Sequence, residues 1–277
     1  MQRENTVPLI GNLIRWLVPI ALIFVLAGFL YITPPGFLGK ADGIGYAVCH
    51  RIDGRSFHIL GRQLPLCARC TGEFNAAAIS LLFMGIVSKK RSSLPRKSII
   101  ALLVVFFLAF GIDGSNSYLY LLKTTTGQLE NIPNIYIPNN TLRLLTGTGM
   151  GLAMATMLFP VVNQSLWREA DNRPSLAWRE FGILIGILLV VDLGILTESP
   201  IILYPVAILS VLGVLSLLTM VFSIVWVLLM RQENIFERVQ QLWLPVGAGL
   251  TLALLLISAI DLLRLRLTGT WGGFPLG

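Results

Sequence analysis

Apolar runs long enough to cross a bilayer recur along this chain, and short polar segments separate them. They predict seven helices. The first lies between Arg15 and about residue 33 and is closed by Pro34-Pro35-Gly36. The others run from Phe74 to Ser88, Ser98 to about Leu122, Leu142 to Val162, Phe181 to about Leu196, Ile201 to Met230, and Leu244 to about Leu263. A span needs about 20 residues to cross a hydrocarbon core of about 30 Å. The run from Phe74 to Ser88 gives only about 22 Å of helix, so it must begin further back, toward Leu66. A basic segment before the first run would also suit a secretory signal, but no small-x-small cleavage pattern follows, and a retained signal anchor is expected.

Composition sharpens this picture. The chain is 55% hydrophobic and 13% charged, with a mean hydropathy of +0.77, too apolar to give a soluble domain an adequate polar surface. The expected fold is all-α: a polytopic transmembrane helical bundle of about seven spans with no soluble domain. An N-terminal membrane unit, 1–163, would hold helices one to four and the polar loop 40–73, and a C-terminal unit, 164–277, helices five to seven. The net charge of +7 reads as lysines and arginines facing anionic lipid, so membrane lipid and not nucleic acid is the expected partner. Lys89, Lys90, Arg91, Arg96 and Lys97 fill one short loop without an acid, which marks it as cytoplasmic. This predicts an integral protein of a prokaryotic plasma membrane, with its N-terminus cytoplasmic and the loop 40–73 extracytoplasmic. That loop nevertheless carries Lys40, Arg51, Arg55, Arg62 and Arg69, charges that are either paired locally or kept for a purpose.

The same loop holds all three cysteines and both histidines, in GYAVCHRIDGRSFHILGRQLPLCARCTGEF. Cys67 and Cys70, in CxxC spacing, suit one tetrahedral metal, and Cys49 with either His50 or His58 would complete a Cys3His shell for zinc or iron. A second CxxC is missing, and CxxC is also a redox motif. Cys67 and Cys70 precede a helix start, where the helix dipole and Arg69 would favour a thiolate. A membrane thiol oxidoreductase with a quinone partner is therefore the competing reading, and a transporter or non-catalytic scaffold with a zinc-clipped loop is a third.

The Cys49-His50, Arg55-Ser56-Phe57 and Cys67-Ala68-Arg69-Cys70-Thr71-Gly72 strings resemble a family of membrane proteins designated domain of unknown function 2085. Asp113-Gly114 and Arg143 with Thr146-Gly147 extend the resemblance more weakly, over about residues 40–150. It implies no activity, only that these positions form one unit.

Several ionisable residues fall in the outer halves of the expected helices: Asp113, Arg143, Asp192, Glu198 and Asp261. Buried charges in a membrane are costly and are candidates for function. Asp113, Asp192, Asp261 and Arg143 are the candidate catalytic residues, with an Asp113–Arg143 ion pair as the plain structural alternative. Arg51, Arg55, Arg62 and Arg69 are the candidate ligand-binding residues, since guanidinium forks suit phosphate or carboxylate. An anionic, lipid-like amphiphile is the substrate or ligand this predicts. The string 143–149 recurs loosely at 266–272, a possible internal repeat. No GxxxxGK[ST], HExxH, GxSxG or CxxCH occurs, which argues against ATP-driven transport within this chain, a zincin protease and a c-type cytochrome.

Overall fold

The computed structural model describes residues 7–127, 129 and 131–273, with side chains from residue 15 onward. The extreme N-terminus, expected on the cytoplasmic side, lies outside the described residues. The described chain forms helices α1 (Val7–Ile32), α2 (Phe37–Val48), α3 (Ala68–Val87), α4 (Lys97–Thr126), α5 (Asn140–Leu166), α6 (Trp178–Leu196), α7 (Pro200–Leu229) and α8 (Trp243–Thr268). Four short strands complete it: β1 (His58–Ile59), β2 (Arg62–Gln63), β3 (Arg91–Ser93) and β4 (Asp171–Pro174).

The chain is a polytopic helical membrane bundle. Six helices, α1, α3, α4, α5, α7 and α8, are long and apolar enough to cross a membrane. Helix α6, the remaining one of the seven expected spans, has 19 residues, about 28 Å, and carries Arg179, Glu180 and Asp192; it is not among the six. Leu82, Val104, Phe107, Val190 and Leu229 are among the many apolar side chains left on the outside, as lipid contact requires. The segment 40–73, expected to be one loop, is partly helical: α2 occupies its first residues, and α3 begins at Ala68, close to the start that membrane thickness demanded.

The connections gather at two ends. At one, β3 and β4 pair in parallel, Trp167 bridges to Phe236, and Asn163 Nδ2 donates to the carbonyls of Lys89 and Arg91, both at 2.9 Å. At the other lie α2, the antiparallel β1–β2 hairpin, residues 131–139 and residues 269–273 after α8. The hairpin turns through Leu60 and Gly61, both at positive φ, the conformation that a two-residue type I′ loop requires.

Helix α3 is the axis of the bundle, and glycines seat it. A Cβ at Gly147 would collide with the Arg69 carbonyl, one at Gly151 with that of Glu73, and one at Gly213 of α7 with that of Phe74. Backbone-to-backbone approach of this kind is how small residues pack helices where lipid removes the usual hydrophobic drive. Packing also joins the expected 1–163 and 164–277 units, because α1 lies on α8 and α3 on α7.

Candidate metal centre and the arginine cluster beside it

Two segments bring the cysteines together. Helix α2 ends at Cys49, whose N–H donates to the Gly45 carbonyl at 2.9 Å. A Cβ at Gly45 would collide with the carbonyl oxygen of Pro65, so glycine lets α2 lie against the segment that reaches Cys67 two residues later. Cys67 is the N-cap of α3 and Cys70 sits in its first turn. The three sulfurs lie within 4.8 Å of one another, with Cys49 and Cys67 buried and Cys70 half-buried. Arg51 takes a φ of 51°, which turns the chain so that its N–H donates to Cys49 Sγ at 3.4 Å. The Cys67 N–H donates to the same sulfur at 3.3 Å. Backbone donors aimed at sulfur favour the charged, ligating form.

The two histidines separate. His50 is exposed and stands outside the group of three sulfurs, close enough to lower the Cys67 pKa, whereas His58 Nε2 lies 2.9 Å from Asp53 Oδ1 beside the hairpin. The neighbouring Cys49 and Cys70 thiols hold the Cys67 thiol well below the usual range. The same contact keeps the proton on Cys49, whose thiol is pushed up to about 12.

Helix α8 closes this end. Arg264 donates to the carbonyls of Tyr46 at 2.5 Å, Cys49 at 2.6 Å and His50 at 3.3 Å, and its guanidinium lies 3.9 Å from the Tyr46 ring centroid. Tyr46 in turn donates to the Thr270 carbonyl at 2.7 Å. Arg264 carried no sequence signal beyond its place three residues after Asp261, so its part in holding the α2 terminus was not foreseen.

The loop's arginines divide into two groups. Arg51 and Arg62 clamp Asp42 of α2, at 3.0 and 2.8 Å. Arg55 and Arg69 reach α4 instead: Arg55 donates to the Ser117 carbonyl at 3.1 Å, and Arg69 pairs with Asp113 and donates to Ser117 Oγ at 3.1 Å. Asp113 Oδ1 also accepts from the Tyr136 hydroxyl at 2.6 Å, and its Oδ2 from Thr146 at 3.2 Å. The expected Asp113–Arg143 pair is therefore replaced by Asp113–Arg69. Arg143 turns to Asn140 Oδ1 at 2.8 Å, because the CxxC helix start sets Arg69 directly against α4. Burial, followed by repulsion from Arg69, lowers the Arg55 pKa from the usual arginine value. Ser117, Tyr136 and Thr146 bore no distinguishing motif and emerge only from the fold.

Asp192 and Asp261 stand apart from this network. Asp192 Oδ1 accepts from Thr148 at 2.9 Å, Oδ2 has no partner, and the residue closes an apolar cleft of about 210 Å³ with Phe106, Leu145 and Leu189. Asp261 is buried in α8 with both oxygens unpartnered. Glu73 is half-buried within reach of the charges of Cys67 and Arg69. The two resembling strings sit at opposite helix ends, 143–149 opening α5 and 266–272 closing α8, so they do not repeat one structural unit.

The fold and its polar end define a polytopic helical membrane protein with a compact thiol cluster. The family described as predicted membrane protein (DUF2085) matches residues 49–157, from Cys49 through the loop and α3, α4 and most of α5. The chain belongs to this family. An uncharacterised protein of Methanothermobacter thermautotrophicus is 32% identical over 111 residues, 39% of this chain and 84% of that protein. An uncharacterised protein of Methanocaldococcus jannaschii is 24% identical over 163 residues, 57% of this chain and 94% of that one. No solved structure matches. The matched segment contains the cysteines, His50, Arg55, Arg69, Asp113 and Arg143, while Arg264, Asp192 and Asp261 lie outside it.

Proposed function

We propose that the protein holds one thiolate-bound metal ion, zinc or iron, on Cys49, Cys67, Cys70 and His50. This centre would fasten an extracytoplasmic loop whose arginines face an anionic amphiphile in a prokaryotic plasma membrane. The observation that carries the reading is the convergence of three sulfurs within 4.8 Å from segments on either side of the hairpin, one of them receiving two backbone N–H donors. Soft thiolates select such metals, and a filled Cys3His shell is the structural type, without an open position. The five-cation loop at the opposite end supports the orientation. Under this reading the metal shapes the site, and chemistry or binding falls to the arginines and Asp113.

Elemental analysis of the detergent-purified protein tests it, with free thiols counted before and after reduction. About one metal ion per chain is expected, lost in Cys67→Ser and in His50→Ala but kept in His58→Ala. No metal, with two thiols appearing only on reduction, would replace this reading by dithiol chemistry in which Cys67 is the attacking thiolate.

A further inference from the structure

Arg55 and Arg143 line a cleft of about 200 Å³ at the loop end of α4 and α5, and the metal reading leaves it without an occupant. Arg143 is only 6% exposed, and its Nε is buried with no hydrogen-bond partner. Arg55 spends one N–H on a neutral carbonyl. Asp113 is already saturated by Arg69, Tyr136 and Thr146. Among the described residues no carboxylate lies within ion-pair distance of Arg55 or Arg143. Arg55, Arg69 and Arg143 are close enough to feel one another's charge, and the anionic groups acting on Arg55 and Arg143 are Asp113 and the Cys67 sulfur, so the guanidiniums outnumber the anions beside them. Arg143 also stands in the first turn of α5, where the positive end of the helix dipole adds to the same field.

Like charges held together beside low-dielectric helices are costly unless an anion joins them. Two forks without a carboxylate partner match a dianion with several acceptor oxygens better than a singly charged carboxylate. The cleft is smaller than the roughly 300–1,000 Å³ of pockets that take a whole small molecule, which suits a head group whose remainder lies outside. We infer that Arg55 and Arg143 bind a phosphate group in this cleft, either free phosphate or the phosphomonoester head of a lipid. The inference deepens the reading above, on which it rests only for an anionic ligand at this end of the bundle; it does not need the metal.

Calorimetric titration of the full detergent-solubilised chain with inorganic phosphate at constant ionic strength tests this. Native mass spectrometry of the protein in phosphatidylcholine nanodiscs, with and without phosphatidic acid, is run beside it. Saturable phosphate binding is expected, weakened about tenfold or more in Arg143→Gln and in Arg55→Gln and unchanged in Arg168→Gln at the opposite end. Phosphatidic acid retained by the wild type and lost in Arg143→Gln assigns the lipid head group; phosphate binding without retained lipid assigns free phosphate. Equal affinity in wild type and both variants, or equal competition by chloride, overturns the inference. Should Arg143→Gln not fold, Arg143→Lys keeps the charge without the fork. A wild-type Tm that phosphate fails to raise would then be the overturning result. Metal content measured on the same samples separates the two readings, because a metal-free protein that still binds phosphate through Arg143 removes the metal centre and keeps this site.

Discussion

The two ends of the bundle handle charge differently. Around β3 and β4 the ion pairs are one-to-one: Arg91 with Glu180 at 2.9 Å, Arg173 with Asp171 at 2.7 Å, and Arg168 with Glu237. At the cysteine end Asp42 serves two arginines, and Asp113 serves Arg69 while Arg55 and Arg143 have no acid among the described residues. The first pattern tacks loops together at the membrane edge. The second stores positive charge beside buried structure, where it is expensive and therefore informative.

The sharpest way to break this contrast is through the sulfurs. Metal ligation must displace the proton that Cys49 holds, since its thiol is pushed up to about 12. Affinity should therefore fall about tenfold per pH unit, on acidification, for each proton displaced. Competition with a chelator of known affinity across a pH series measures this, and a pH-independent affinity would remove thiolate ligation from the account. Next comes Asp113→Asn, which removes the buried partner of the half-buried Arg69 and should cost about 3 kcal/mol in a detergent unfolding titration. Glu237→Gln, at the opposite end, breaks an exposed pair with Arg168 and should cost about 1 kcal/mol or less. Equal losses would erase the distinction between the ends.

Packing gives a smaller effect. Gly151→Ala drives a Cβ into the Glu73 carbonyl and should cost about 1–3 kcal/mol. Gly85→Ala, with nothing within 4 Å of its Cβ, should be neutral or slightly stabilising on the same unfolding curve. The smallest effect is alkaline. Burial and the bond to Asp113 raise the Tyr136 phenol from 10.0 to about 12. A group raised on folding contributes stability that is fully present below its unfolded value, so this one is lost as pH climbs from about 10 to about 12. Ultraviolet titration should show one late phenol that disappears in Tyr136→Phe, together with the loosening of residues 131–139 in that window.

Much of the fold was legible because apolar runs in lipid have one stable solution. The helix cores near 74–88, 142–162 and 201–230 were set by hydropathy, and the early start of α3 by membrane thickness. Helix α2 was hidden because its sequence, FLGKADGIGYAV, is short and glycine-rich, and it is held by packing against Pro65 and α8. In the candidate site the cysteines announced themselves by spacing, whereas the partner of Asp113 depended on which arginine the fold carries to α4, a fact no linear pattern encodes. The same holds for His50 and His58, eight positions apart in the chain, which the hairpin sends to different neighbours.

One contact has a consequence for how the protein is made. Arg264 holds the carbonyls of Tyr46, Cys49 and His50 across more than 210 positions of sequence, and Trp271 accepts from Arg51 at 3.2 Å. During synthesis the cysteine loop emerges early, but α8, which fastens it, is made after the other seven described helices. The thiols therefore spend most of the chain's biogenesis without their final support, open to oxidation or to the wrong ion. Pulse-labelled chains should protect Cys49 from an alkylating reagent only after α8 has been inserted; protection gained earlier would show that the loop closes on its own.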